Sequence, residues 1–170
     1  NGLPVLLFVG QISWKKNILR ILESAALYKQ ESPAFKLVLV GQGPDEKEIR
    51  QKAEELGLAE QLIMPGMVQE MRVLDAFYKR ADLFVFPSLY DTFSLVIREA
   101  AAMDTPSVAV WGSCAAESIT HGVNGYLCED DTDSLYQVIR HALSDRERNS
   151  EIGIKAHETI PIPWEDVLKQ

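Results

Sequence analysis

Short, unbroken apolar runs that stop at glycine or proline constrain this chain more than any other feature. Val5-Leu-Leu-Phe-Val9 stops at Gly10, Lys36-Leu-Val-Leu-Val40 at Gly41, and Leu83-Phe-Val-Phe86 at Pro87-Ser88. Leu62-Ile-Met64 before Pro65-Gly66, Ser107-Val-Ala-Val110 and Tyr126-Leu127 read as three further strands. A strand that is apolar at every position is buried on both faces, as parallel strands covered by helices are. Helical spacing fills the intervals. It runs over Ile18 to Lys29, from Pro44-Asp45 to a stop near Leu56-Gly57, over Met71 to Arg80, and over Leu95 to Met103. A further helix begins at Thr132, with Leu135, Val138, Ile139 and Leu143 on one face. Ile160-Pro161-Ile162-Pro163 breaks the pattern before a last short helix from Trp164. Strand–helix alternation at this spacing predicts an α/β fold: a Rossmann-like, doubly wound parallel sheet with helices on both faces and right-handed crossovers. Residues 1–170 read as one domain, without internal repeat or low-complexity tract.

Charge and cysteine content remove several functions. The 170 residues carry 17 Lys+Arg against 25 Asp+Glu, a formal charge of −8, which argues against non-specific nucleic-acid binding, since that rests on counterion release by cations. No stretch approaches the ~20 apolar residues that span a bilayer. No signal peptide is legible, so a cytoplasmic location is expected, with peripheral attachment at the inner face of the membrane left to residues outside this chain. The start at Asn1 fits an excised fragment or a processed end. Cys114 and Cys128 allow at most one disulfide and read as reduced thiols. No His/Cys cluster has metal-ligand spacing, and His121, His141 and His157 read as surface or loop histidines.

The fold class says where a ligand goes. Ligands of open α/β sheets bind outside the carboxyl ends of the strands, where helix N-termini favour anions. Here those ends are Gly10–Lys16, Gly41–Pro44, Pro65–Val68, Pro87–Ser94 and Trp111–Glu117, several with the glycine or small polar residues that a loop approaching a ligand needs. Asp91 lies in the loop after the fourth strand, and Glu99 eight residues later on the next helix, with Leu95, Val96, Ala102 and Met103 at neighbouring helical positions. A carboxylate among apolar side chains needs an internal partner or a polar ligand. From spacing alone, Glu99 also reads as an ordinary surface glutamate, Asp91 as a turn aspartate, and Lys16 as a solvated lysine.

These residues, in order, resemble a known family. The series comprises Val9-Gly10 and Lys16; Leu39-Val40-Gly41-Gln42-Gly43-Pro44; Pro65-Gly66; and Ala81-Asp82-Leu83-Phe84-Val85-Phe86-Pro87-Ser88. It continues with Glu99-Ala100, Thr105-Pro106, Glu117, and Gly122-Val123-Asn124-Gly125-Tyr126-Leu127. Nearly the whole chain resembles the C-terminal, nucleotide-sugar-binding half of a GT-B glycosyltransferase of the retaining, family 4 (group 1) type. The family's paired acids, separated by seven residues, fall on Asp91 and Glu99.

The resemblance implies transfer of a sugar from a nucleoside-diphosphate sugar, with retention and without a metal or other cofactor. A UDP-sugar is favoured over a GDP-sugar. It gives Glu99 the two ribose hydroxyls, Asp91 the hydroxyls of the donor sugar, and Lys16 the diphosphate. Gly10, Gln11, Lys15, Gln42, Met67, Val68, Thr92, Phe93, Ser94, Leu95 and Glu117 join the donor-binding set. Four positions depart from the pattern. Gln11 stands where the family has Arg, and Lys15 either compensates or is solvated. Asp91 is one methylene short of Glu. Thr92-Phe93-Ser94 replaces Gly-Phe-Gly, and its hydroxyls either crowd the site, contact the donor or cap the helix. Met67 reads either as a nucleobase contact or as packing, and Glu117 either as a sugar contact or as a helix N-terminal glutamate. An acceptor sugar, lipid or polysaccharide would be bound by an N-terminal domain absent from this chain, leaving the 170 residues inactive alone. A nucleotide-sugar epimerase and a non-catalytic nucleotide-sugar sensor are the rival readings.

Overall fold

The computed structural model describes residues 2–92 and 94–160. Six parallel strands form one sheet: β1 (Val5–Val9), β2 (Lys36–Val40), β3 (Leu62–Gly66), β4 (Leu83–Phe86), β5 (Ser107–Val110) and β6 (Tyr126–Cys128). Their order is β3-β2-β1-β4-β5-β6, the doubly wound arrangement in which the chain reverses direction between β1 and β4. Helices α1 (Ile18–Glu31), α2 (Glu46–Glu55) and α5 (Thr132–Ser144) pack together on one face, and α3 (Met71–Arg80) and α4 (Leu95–Ala102) pair on the other. None of the described helices is long and apolar enough to cross a membrane.

The central strands are apolar throughout because both faces are covered. Leu6, Leu7, Phe8, Leu37, Leu39, Leu83, Phe84 and Val85 are wholly buried. Phe84 stacks on Phe86, and Phe86 on Phe8, across the β1–β4 junction. β3 departs from the expectation of two-sided burial. It is an edge strand with alternating exposure, and it runs two residues further, through Pro65-Gly66. An edge position tolerates a proline, which has no N–H for a further ladder.

One helix escaped the sequence reading. α6 (Arg146–Thr159) buries Asn149, Ile152, Gly153 and Ala156, a regular helical stripe made mostly of residues that do not read as apolar. Asn149 accepts from the Tyr126 hydroxyl (2.9 Å) and donates to the Asp82 carbonyl (2.6 Å), which pins α6 to the strand ends remote from the site. Gly153 is obligatory there, since a Cβ would stand 2.1 Å from the Asp104 carbonyl oxygen. The short helix expected from Trp164 lies outside the described residues.

Candidate functional site

The carboxyl ends of β1, β2 and β4 meet where the strand order reverses, and local sequence builds each loop there. After β1, Ser13 caps a 3-10 turn (Trp14–Lys16), its Oγ accepting from the Lys15 amide at 3.3 Å. Asn17 closes the turn at φ 60°, a left-handed conformation that asparagine tolerates. The Trp14 amide donates to Asp45 Oδ2 (2.9 Å) in the loop after β2, and the Trp14 indole N–H to Glu48 Oε2 (3.1 Å) on α2. On the other side, Asn17 Nδ2 donates to the Pro87 carbonyl (3.2 Å) at the end of β4. The turn carrying Lys16 is thereby braced against both neighbouring strand ends.

The bracing brings Lys16 to Asp91. Lys16 Nζ lies 2.9 Å from Asp91 Oδ2, with the side chains 20% and 24% exposed. A depression of about 470 Å³ beside this pair is lined by Gln11, Lys15, Lys16 and Tyr90. Another, of about 280 Å³, is lined by Thr92, Ser94, Arg98, Cys114, Glu117 and Ser118. Tyr90 and Thr92 flank Asp91 in the chain, so its loop contributes to both. Tyr90 is 81% exposed, far more than a packing aromatic would be.

Glu99 is not part of the Lys16–Asp91 pair. It is half-buried on α4, and its Oε2 accepts from the Tyr78 hydroxyl of α3 at 2.8 Å. Tyr78 is wholly buried, its ring edge-on to Phe84 and its carbonyl held by Thr105 Oγ1 at 2.6 Å. Burial first, then the charge and hydrogen bond of Glu99, push the phenol pKa far above its ordinary value, so the hydroxyl stays protonated as a donor.

Several expectations change here. Gly41 and Gly43 do not clear space for a ligand. A Cβ on Gly41 would lie 1.9 Å from the Gly10 carbonyl oxygen, and one on Gly43 2.2 Å from that of Ile12. Their bareness lets the β1 and β2 loops touch backbone to backbone, where Ile12 N–H donates to the Gln42 carbonyl at 3.1 Å. Neither Thr92 nor Ser94 caps α4 with its side chain: Ser94 occupies the N-cap at φ 45°, ψ 40°, away from the extended geometry from which a hydroxyl reaches the first helical amides. The buried Ser94 and Ser88 hydroxyls have no partner among the described residues. Glu117 closes a 3-10 turn (Cys114–Ala116) rather than opening a helix. Met67 is 53% exposed and so does not serve as packing, whereas Val68 packs on the core. Lys15, Gln42 and Leu95 are exposed. Phe93 lies outside the described residues.

A family model described as "Glycosyl transferases group 1" matches residues 1–159. The chain belongs to the group 1 glycosyltransferases. Similar proteins include an uncharacterized glycosyltransferase of Methanocaldococcus jannaschii, 28% identical over 169 residues, which are 98% of this chain and 43% of that protein. Among solved structures, HepE of Anabaena in complex with UDP-glucose is 26% identical with a TM-score of 0.80, over 92% of this chain and 43% of that one. The C-terminal domain of a group 1 family protein (LpcC) from Francisella tularensis shares the fold: TM-score 0.85, 24% identity, 94% of this chain and 85% of that one. This glycosyltransferase chain spans less than half the length of the curated relatives it matches.

Arg98 and Tyr78 were missed in the sequence of this group 1 chain, as were Tyr90, Cys114 and Ser118 of the two linings. Arg98 stands four residues after Ser94, one turn along the same side of α4, and has no ion-pair partner among the described residues. Tyr78 reads as one more aromatic position on an amphipathic helix; only the fold shows that its hydroxyl meets Glu99.

The two cysteines of the glycosyltransferase chain differ sharply. Cys114 is exposed, while Cys128 is buried on β6. Burial, followed by the charges of Asp131, Asp130 and Glu129, pushes the Cys128 thiol up to about 12. On the order of one part in ten thousand is thiolate at pH 8, and the thiolate is the nucleophile. Titration of the native protein with an aromatic disulfide reagent at pH 8 should therefore label Cys114 rapidly and Cys128 only after denaturant is added. Two equally fast thiols would contradict the burial.

Proposed function

We propose that this chain is the donor-binding domain of a retaining, metal-independent glycosyltransferase of the family 4 type. It takes a nucleoside-diphosphate sugar, with a UDP-sugar favoured. The acceptor, a sugar, lipid or polysaccharide, is held by a domain outside these residues, and the 170 residues do not transfer sugar alone. The observation that carries this reading is the Lys16–Asp91 pair, a cation after β1 and a carboxylate after β4 facing each other across the strand reversal. That crevice is where open parallel sheets bind nucleotides.

In the proposed complex Lys16 turns from Asp91 to the diphosphate, and Asp91 accepts from hydroxyls of the donor sugar. Cleavage of the sugar–phosphate bond builds positive charge on the ring and negative charge on the departing diphosphate. Lys16 and the backbone amides at the start of α4 supply fixed positive charge for that leaving group. Gln11 and Lys15 border the same depression as Lys16, which supports their compensating, as amide donor and second ammonium, for the guanidinium of the family pattern. Glu99, with acceptor capacity beyond its bond to Tyr78, takes the vicinal ribose hydroxyls. Gln42, Met67 and Val68 border the base, and Thr92, Ser94 and Glu117 the sugar. The proposed compartment is the cytoplasm, in keeping with two unpaired cysteines.

Thermal melting with UDP, GDP, UDP-glucose and GDP-mannose tests the reading. Ligand at 100 times its Kd stabilises by about 2.7 kcal/mol, which for a chain of this size raises Tm by roughly 5–10 °C. UDP and UDP-glucose should give that rise. No shift with any of the four at millimolar concentration would overturn donor binding.

A further inference from the structure

We infer that Tyr78 is a positioning residue that sets the orientation of the Glu99 carboxylate and thereby the preference of the site for ribonucleotides over 2′-deoxyribonucleotides. The inference rests on the ribose role proposed for Glu99. Among the described residues, the Tyr78 hydroxyl is the only hydrogen-bond partner of that carboxylate, at 2.8 Å from Oε2. Glu99 sits on α4 with no ion pair among the described residues, so no other described group fixes its terminal torsion, which is broad in glutamate.

Tyr78 itself cannot move. Its ring is wholly buried, edge-on to Phe84 with centroids 5.4 Å apart, and its carbonyl is bonded to Thr105. Its proton stays in place at any working pH, because burial and Glu99 hold the phenol far above its ordinary pKa. A rigid permanent donor on one oxygen leaves Oε1 and the remaining lone pair of Oε2 in a fixed plane. Two acceptors in one plane suit the 2′- and 3′-hydroxyls of a ribose; a carboxylate free to rotate suits them less. Tyr78 touches no ligand in this arrangement and acts only through Glu99.

The experiment compares UDP with 2′-deoxy-UDP by calorimetric titration of the full chain, in wild type, Tyr78→Phe, Glu99→Ala and the double variant, alongside melting temperature without ligand. Phenylalanine keeps the ring and deletes the donor. Wild type should prefer UDP, and Tyr78→Phe should cut that preference about fivefold to tenfold, the net worth of one ordinary hydrogen bond to the ribose. In the Glu99→Ala background, Tyr78→Phe should change the preference by less than about twofold. A preference that survives Tyr78→Phe, or that falls equally in both backgrounds, overturns the inference. A wild type that binds both nucleotides equally overturns the ribose role of Glu99 and this inference with it, but leaves donor binding standing. Failure to bind UDP at all sinks donor binding itself. If Tyr78→Phe melts too early to titrate at 25 °C, the same titrations are run at about 10 °C, near the temperature of maximum stability, where the same outcomes decide.

Discussion

Gly41→Ala should lower the unfolding free energy by about 4 kcal/mol and Tm by roughly 10 °C. Two separate penalties converge on this residue. Its φ of 139° lies where side chains are rarely tolerated, and a Cβ would overlap the Gly10 carbonyl oxygen at 1.9 Å. Neither neighbour can yield cheaply. The Gly10 amide bonds the Val40 carbonyl at 3.0 Å, and the Gly41 amide bonds the Gly66 carbonyl at 2.9 Å, so both belong to the ladder joining β1, β2 and β3. Gly57→Ala provides the control. Gly57 ends α2 at φ 74° with nothing within 4 Å of an added Cβ, so only the backbone penalty of about 1 kcal/mol applies. Thermal unfolding of both variants measures the difference. Equal, mild losses would mean that the two loops separate easily and that the close approach at Gly41 is not essential to the fold.

Lys16→Ala should reduce kcat/KM for sugar transfer by 100-fold or more, measured in the parent protein that supplies the acceptor domain of the proposed enzyme. Removing one group aimed at charge that develops in the transition state costs roughly this much. The same change should barely alter folding. The Lys16–Asp91 pair is single and solvent-reached, and such pairs contribute about 0–1 kcal/mol. A large kinetic loss with a nearly unmoved melting temperature therefore separates a role in transfer from a role in stability. Activity within threefold of wild type would overturn the assignment of Lys16 to the diphosphate.

The sheet was legible because its signal is redundant. Three of the six strands, β1, β2 and β4, are apolar runs closed at once by glycine or proline, and helical spacing between the runs points to a sheet buried on both faces. β3 was read too short because Pro65 looks like a terminator, whereas an unpaired edge accepts it. α6 stayed hidden because its inward positions are held by asparagine, glycine and alanine, chosen for contact with the Asp82 and Asp104 backbones rather than for apolarity. At the site, Lys16, Asp91 and Glu99 could be named from their spacing and the family they resemble. Their mutual relations could not. Whether Lys16 meets Asp91 depends on a turn fixed by bonds to Asp45 and Pro87, residues 31 and 70 positions away from the donors that reach them. Tyr78 and Glu99 lie on different helices, and a pairing 21 residues apart leaves no periodic mark. The glycines misled for a related reason. Bare backbone serves equally to admit a substrate or to let two loops touch, and only the three-dimensional neighbours distinguish the two uses.

A crevice whose ammonium and carboxylate satisfy one another is, in effect, latched. Inorganic phosphate offers Lys16 a substitute counter-ion and leaves Asp91 to water, at a cost of no more than about 1 kcal/mol. A molecule bearing an anionic bridge and neutral hydroxyls on the far side compensates both groups at once. In the proposed enzyme, the latch would tilt the site toward the intact donor by a few-fold at most, with Lys16 and Asp91 closing on each other again once the spent nucleotide leaves.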